Sequence, residues 1–147
     1  MSEVSHPEAQ DLDAVRALLE RDGLPTSDLV SGRLEFAVIR EAEEVVAAGA
    51  LQCFGSAALL RSVIVTKKRR RSGLGQSIVG ELERRARFAG IRELILLTQT
   101  ASAFFAARGY RVIERHTVPP EVQGSEEFRS LCPSSAICMA KCLNESG

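Results

Sequence analysis

Residues 67–76, KKRRRSGLGQ, place two glycines one residue apart directly after five basic side chains. They lie between an apolar run, 57–66, and a stretch with helical spacing, 74–89. A helix that begins just after Gly-x-Gly leaves its first backbone N–H groups unpaired and pointing outward. Together with the positive end of the helix dipole, those donors suit a pyrophosphate. Gly73 and Gly75 carry no Cβ to obstruct it, and neighbouring arginines add charge-assisted bonds. The Gly-Lys-Ser/Thr ending of a Walker loop is missing. Taken alone, a basic run reads as a solvated face or a nucleic-acid patch, but no aromatic side chain lies among these residues to stack a base.

A second candidate is Arg61, which interrupts the apolar run AALLRSVIV. Buried arginine is costly without an anionic partner. Arg61 is therefore either a ladder residue facing solvent or an internal carboxylate, or a bidentate clamp for a substrate carboxylate. Of the four cysteines, Cys138 and Cys142 share a strand face but stand about 13 Å apart at ~3.3 Å per residue, too far to share one soft metalloid atom. The cysteines are expected to be small buried apolar residues, with Cys132, before Pro133, the most exposed.

These residues need a scaffold. A chain of 147 residues, 45% hydrophobic and 26% charged, can bury one core, so a single domain over 1–147 is expected. No apolar stretch reaches membrane-spanning length, the N-terminus shows no secretory pattern, and cysteine usage suits a reduced, cytoplasmic chain. The formal net charge of zero divides into −7 over residues 1–50, +9 over 51–115 and −2 over 116–147. A basic middle in a neutral protein points to a local anionic ligand more than to a general polyanion.

Leu12, Val15, Leu18 and Leu19 recur at helical spacing, with Asp11 as N-cap and Gly23 past the end. Three strand-like runs follow, 34–41, 45–54 and 57–66, separated by a charged turn at Glu43 and Glu44 and by Gly55-Ser56, as in an antiparallel meander. After the basic turn, Leu74, Ile78, Leu82, Ala86 and Ala89 form the apolar stripe of a helix closed by Gly90, with Glu81, Glu83 and the arginines mostly on the other side. A strand (91–98), a short helix (101–108) and two strands (110–115 and 135–143) complete the order. The connection 116–134 is long enough to carry function.

VIVTKKRRRSGLGQSIVGELERRA resembles motif A of the GNAT (GCN5-related N-acetyltransferase) family, Arg/Gln-x-x-Gly-x-Gly/Ala after a strand, with Arg70, Gly73 and Gly75 in register. LILLTQTASAFFAARGYRVIER resembles the family's next block, a strand and short helix ending in Gly-Tyr or Gly-Phe. The resemblance implies a mixed α/β fold with a mostly antiparallel central sheet and helices on both faces. It implies acetyl-CoA as cosubstrate, no metal, and the pyrophosphate on the turn formed by Arg70, Arg71, Ser72, Gly73, Leu74, Gly75 and Gln76. Val63 and Val65 take the positions that bind the pantetheine arm, and the Val63 N–H the position that polarises the thioester carbonyl. The chain departs from the pattern at two cofactor positions: Thr98 replaces a frequent asparagine, and Phe105 replaces the tyrosine that protonates the leaving thiolate in many members. Tyr110 matches a packing aromatic. For the base, Glu126, Glu127 or ordered water are the candidates, Glu127 being the residue to test. Members often dimerise, so a homodimer is one expected state.

GLPTSDL, ALLRS and EFRSLCPSSAICMAKCL resemble, more narrowly, the arsenic-resistance N-acetyltransferase subgroup. That implies a small amino-acid-like acceptor amine, with an organoarsenical such as arsinothricin as an example, and suits Arg61 as carboxylate anchor. The alternatives are protein or peptide N-acetylation and a non-catalytic acyl-CoA-binding module. Neither nucleic acid nor membrane is expected as a partner.

Overall fold

The computed structural model describes residues 4–21, 34–125, 128 and 136–143. Its framework is the predicted meander: β2 (Leu34–Glu41), β3 (Glu44–Phe54) and β4 (Ala57–Val65), each antiparallel to the next. The β2–β3 reversal is a two-residue loop, Ala42-Glu43, with both residues at positive φ (52° and 66°). Such a loop matches strand twist and normally uses glycine or asparagine. The turn thus lies one residue before the charged pair predicted to make it. Gly55-Ser56 forms the second reversal as expected.

Around this core run β1 (Val4–Ser5), α1 (Ala9–Arg21), α2 (Leu74–Phe88), β5 (Glu93–Thr98), α3 (Ser102–Ala106), β6 (Arg111–Val112), α4 (Pro120–Gln123) and β7 (Ile137–Cys142). Among the described residues the strands form one sheet in the order β1-β2-β3-β4-β5-β7-β6, antiparallel except for β4–β5. β1, α4 and the 3-10 turns Lys67–Arg69 and Arg115–Thr117 are additions to the predicted order. The expected 110–115 strand pairs only at Arg111–Val112 and runs into the turn Arg115–Thr117, and α4 brings local structure to the long connection after it. No helix among the described residues is long and apolar enough to cross a membrane.

Alternation along the strands divides the core. Ala37, Ile39, Leu60, Leu94, Leu96 and Met139 face α2 and α3, packing on Ile78, Leu82 and Phe105. Phe36, Val38, Ala48, Ala50 and Ile64 face α1, meeting Val15, Leu18 and Leu19. Leu59, Ile95, Cys138 and Ala140 meet Val118 and Val122 of the α4 region. Each fully buried Leu or Ile contributes about 1.5–3 kcal/mol relative to exposure. Leu12 is 41% exposed and Ala89 is exposed at the helix end, so neither belongs to its predicted stripe.

Two ends of helices differ in how well they follow the sequence. Gly90 (φ 83°) closes α2 as predicted, with Ile91 N–H on the Ala86 carbonyl (2.9 Å) and Gly90 N–H on that of Arg87 (3.1 Å). Asp11 is not the N-cap of α1. The helix starts at Ala9, and Asp11, in its first turn, reaches back to accept the Glu8 backbone N–H (2.7 Å). The same carboxylate accepts from Arg40 of β2 through both oxygens, a partnership 29 residues away that fixes its place.

Candidate active site

β4 and β5 pair for only three residues, Ala57↔Glu93 to Leu59↔Ile95. Beyond that point β5 continues beside β7, and β4 beside β3, so a gap opens between the two parallel strands. A bulge turns β4 further. Its register with β3 jumps from Ala50↔Arg61 to Ala48↔Ile64, leaving Ser62 and Val63 opposite Gly49, with Ser62 at φ 60°. Thr66 N–H bonds the Val46 carbonyl at 2.9 Å. Backbone groups alternate sides along a strand, so those of Val65, and two residues back of Val63, face the gap.

At the mouth of the gap, Arg71 (φ 65°) and Gly73 (φ 87°) bend the chain into α2. Successive N–H groups in such a turn form an anion-binding concavity, here continuous with the unpaired first turn of a helix. A Cβ on Gly73 would meet no atom within 4 Å, so φ rather than crowding selects glycine, and the space in front of it is open. A Cβ on Gly75 would lie 3.4 Å from Phe104 and 3.6 Å from Val65. The geometry and the donor set fit a diphosphate.

The five basic residues do not act alike. Arg69 turns back to form two 2.7 Å bonds with Glu41 at the end of β2, fixing the turn to the sheet. Arg70 Nε donates to the Val65 carbonyl (3.0 Å), while Lys67, Lys68 and Arg71 are exposed. Ser72 Oγ bonds the Arg69 carbonyl and Leu74 points its side chain into the core, so Leu74 offers only its backbone. Gln76, at the third position of α2, accepts from Arg108 Nη2 at 3.2 Å. Arg108, which the sequence reading did not single out, thus lies beside the turn. It stacks on Phe104, 3.8 Å from the ring centroid, and its four-residue spacing from Phe104 was the available signal.

Phe105 is corrected as a cofactor contact. It is 6% exposed, packed edge-on between Phe104 and Tyr110, because its side of α3 faces the sheet. The ring that lies against the glycine turn is its neighbour, Phe104. Thr98 Oγ1 accepts the Ala101 N–H (3.0 Å), which holds the start of α3 and leaves the hydroxyl proton as a donor. Tyr110 is a buried packing residue whose hydroxyl donates to Glu83 Oε2 (2.9 Å), and Lys141 adds bonds of 3.1 and 3.2 Å to that carboxylate. Glu83 is therefore buried against β7 and not on the polar side of α2. Burial first, and the Glu83 charge second, push the Tyr110 phenol well above its ordinary pKa.

On the opposite sheet face, Arg61 is 3% exposed, which overturns a solvent-facing ladder position. Its Nη1 donates to Gln52 Oε1 at 3.3 Å. It lies between the α1 cluster and the α4 region, beside the point where β4 and β5 part. Glu126, Glu127 and Cys132 lie outside the described residues. Cys138 is buried, and burial pushes its thiol up to about 11, but Cys53 and Cys142 are exposed, against the expectation for them. Among the described residues, no three His, Cys, Asp or Glu side chains are grouped to hold a metal.

Residues 32–112, more than half of the chain, match the family described as an acetyltransferase (GNAT) domain. The chain belongs to the GNAT acetyltransferase family. Solved structures share the GNAT fold: N-acetylglutamate synthase from Neisseria gonorrhoeae, complexed with coenzyme A and N-acetyl-glutamate, superposes with a TM-score of 0.84 at 18% identity, over 99% of this chain and 36% of that one. Rv2747 from Mycobacterium tuberculosis, in complex with CoA and NLQ, gives 0.81 at 25% identity, over 96% and 99% of the two chains. An amino-acid acetyltransferase from Aeromonas salmonicida is 30% identical over 118 residues, 76% of this GNAT chain. The chain spans 26% of the length of that curated relative.

Proposed function

We propose that this GNAT chain, as one domain over 1–147, transfers the acetyl group of acetyl-CoA to the primary amine of a small amino-acid-like acceptor. The observation that carries the reading is the β4–β5 gap, lined by the outward backbone groups of Val63 and Val65 and ending at the open Arg71–Gln76 turn. In it, the turn amides hold the diphosphate, and Val63 and Val65 take the pantetheine arm as an added strand. Thr98 supplies a hydroxyl to the same arm.

The acceptor nitrogen attacks the thioester carbonyl directly, so the protein supplies geometry rather than a nucleophile. The Val63 N–H stabilises the oxyanion as the N–C bond forms. The C–S bond then breaks, the amine proton passes to Glu127 or water, and the thiolate leaves with a conjugate pKa of about 8.5, as for cysteine. No phenol assists it: Phe105 stands where a tyrosine would, and Tyr110 is engaged with Glu83. That same lack of an acid favours the second reading, acyl-CoA binding without turnover.

The amino-acid class rests on Arg61, a buried guanidinium beside the gap, and on the names of the relatives above. Within the class, the LCPSSAICM ending makes arsinothricin the first organoarsenical acceptor to test. Arsinothricin, phosphinothricin, glutamate, a polyamine and a histone-like peptide should be offered with acetyl-CoA and the products weighed by mass spectrometry. A gain of one acetyl group on the amino acids foremost is expected, with Arg61→Met raising their KM and sparing acetyl-CoA affinity. Acetylation of the peptide alone would overturn the acceptor class. Binding of acetyl-CoA with no product anywhere would favour the non-catalytic module.

A further inference from the structure

Gln76 stands three residues after the helix cap Gly73, the position from which, in a capping box, a Gln side chain reaches back to the cap backbone N–H. In that arrangement it would occupy one of the amides that a diphosphate needs. Here the cap is a left-handed glycine (φ 87°) and no side chain caps the helix. The Gln76 carbonyl oxygen instead accepts from Arg108 Nη2 (3.2 Å), 32 residues away. Arg108 is itself clamped: its Nη1 donates to the Phe104 carbonyl (2.8 Å) and its guanidinium lies 3.8 Å over the Phe104 ring. Phe104 in turn packs beside Gly75, one residue from Gln76. A cation beside a helix N-terminus has the wrong sign for helix stability and the right sign for a bound anion.

We propose that Arg108 is a positioning residue for the phosphate turn: it holds Gln76 off the Gly73 amide, keeps the first turn of α2 open, and sets a preference for CoA thioesters over phosphate-free ones. This rests on the acetyltransferase reading and adds to it how the anion site is kept from capping itself. It predicts a signature that a merely structural arginine lacks, because the lost function depends on the Gln76 side chain and on the phosphates of the donor.

The experiment compares acetyl-CoA with S-acetylpantetheine, which carries the same thioester without phosphate, on wild type, Arg108→Met, Arg108→Lys and Arg108→Met/Gln76→Ala. Arg108→Met is expected to lower kcat/KM for acetyl-CoA about tenfold, from one amide hydrogen bond and one nearby charge, while S-acetylpantetheine changes less than about twofold. Adding Gln76→Ala should restore a large part of the loss, since alanine cannot reach back. Should Arg108→Met fail to fold, Arg108→Lys carries the same comparison: it keeps the charge, lacks the fork, and is expected to lose activity with acetyl-CoA alone. Equal losses on both donors, no loss on either, or no rescue by Gln76→Ala would overturn the inference and leave the acetyltransferase reading standing. A wild type that neither binds CoA in calorimetry nor uses either donor would overturn both.

Discussion

Replacing Tyr110 by phenylalanine removes one oxygen from the junction of α2, α3 and β7 and leaves the ring packed 5.5 Å from Phe105. The oxygen lost donates to Glu83 at 2.9 Å, and a hydrogen bond to a charged group contributes about 1.5–3 kcal/mol. Glu83 keeps both bonds from Lys141, so the carboxylate is not orphaned and the lower end of that range applies, about 1.5–2 kcal/mol. For a chain of this size that lowers Tm by roughly 5–8 °C. Catalysis should be spared. The hydroxyl is buried against Glu83, and a phenol held well above its ordinary pKa is a poor proton donor to a thiolate of about 8.5. Thermal melts by circular dichroism, with acetyl-transfer rates measured well below Tm, test both halves. The expected result is a lowered Tm with kcat within about twofold and an unchanged alkaline limb of the pH–rate profile. A hundredfold fall in kcat at unchanged Tm would refute the reasoning and make Tyr110 the acid.

Gly49→Ala should destabilise the fold: the new Cβ would stand 2.6 Å from Ile78 Cγ2 and 3.0 Å from Leu82 Cδ1. Overpacking costs about 1–3 kcal/mol, partly offset by about 0.4–1 kcal/mol of lost unfolded-state freedom. Ile78→Leu removes that branch, so the double variant should recover stability in a urea titration, and purely additive losses would count against the contact. The Arg40 guanidinium, then the Glu8 N–H, hold the Asp11 carboxyl below the usual carboxylate value. A depressed folded pKa gives stability that is present above the unfolded value of about 3.9 and lost as pH falls through the folded one. The Tm gap between wild type and Asp11→Asn should therefore be full at pH 6 and close in acid, whereas a constant gap would exclude this linkage.

Periodicity was sufficient for the elements. The apolar run in 34–41, bounded by turn residues, and the stripe from Leu74 to Ala86 locate β2 and α2, because β2 is buried on both faces and α2 on one. Glycine spacing was sufficient for the turn, since Gly73 does adopt a left-handed φ. What failed was long-range. Asp11 with Arg40, Arg69 with Glu41 and Glu83 with Lys141 pair across 28 to 58 residues, and no local pattern announces such partners. Glu83 was readable only in part: it shares a helical face with Val79 and Ala86, but its charge argued for solvent. The parting of β4 from β5 is a pairing endpoint, invisible in either strand alone.

One extra residue accounts for how β4 serves two sides of the sheet. In an uninterrupted strand Arg61 and Val63 would share a face, as residues two apart do. Leu60 and Val63 instead both pack towards α2, while Arg61 and Ile64 lie on the face towards α1. The bulge at Ser62 makes this exchange, and a left-handed serine costs about 1–2 kcal/mol to hold. It is held because Gly49 opposite leaves room for close packing on Ile78, and because Ile64 beyond it resumes pairing with Ala48. The result is a strand that presents a guanidinium to one face and, two residues later, runs on beyond the end of its pairing with β5. Arg71 and Gly73, both left-handed, then turn the chain into α2, where Gly75 packs beside Val65. Of the left-handed non-glycine residues outside the β2–β3 hairpin, Ser62 and Arg71 thus flank the stretch of β4 that has parted from β5.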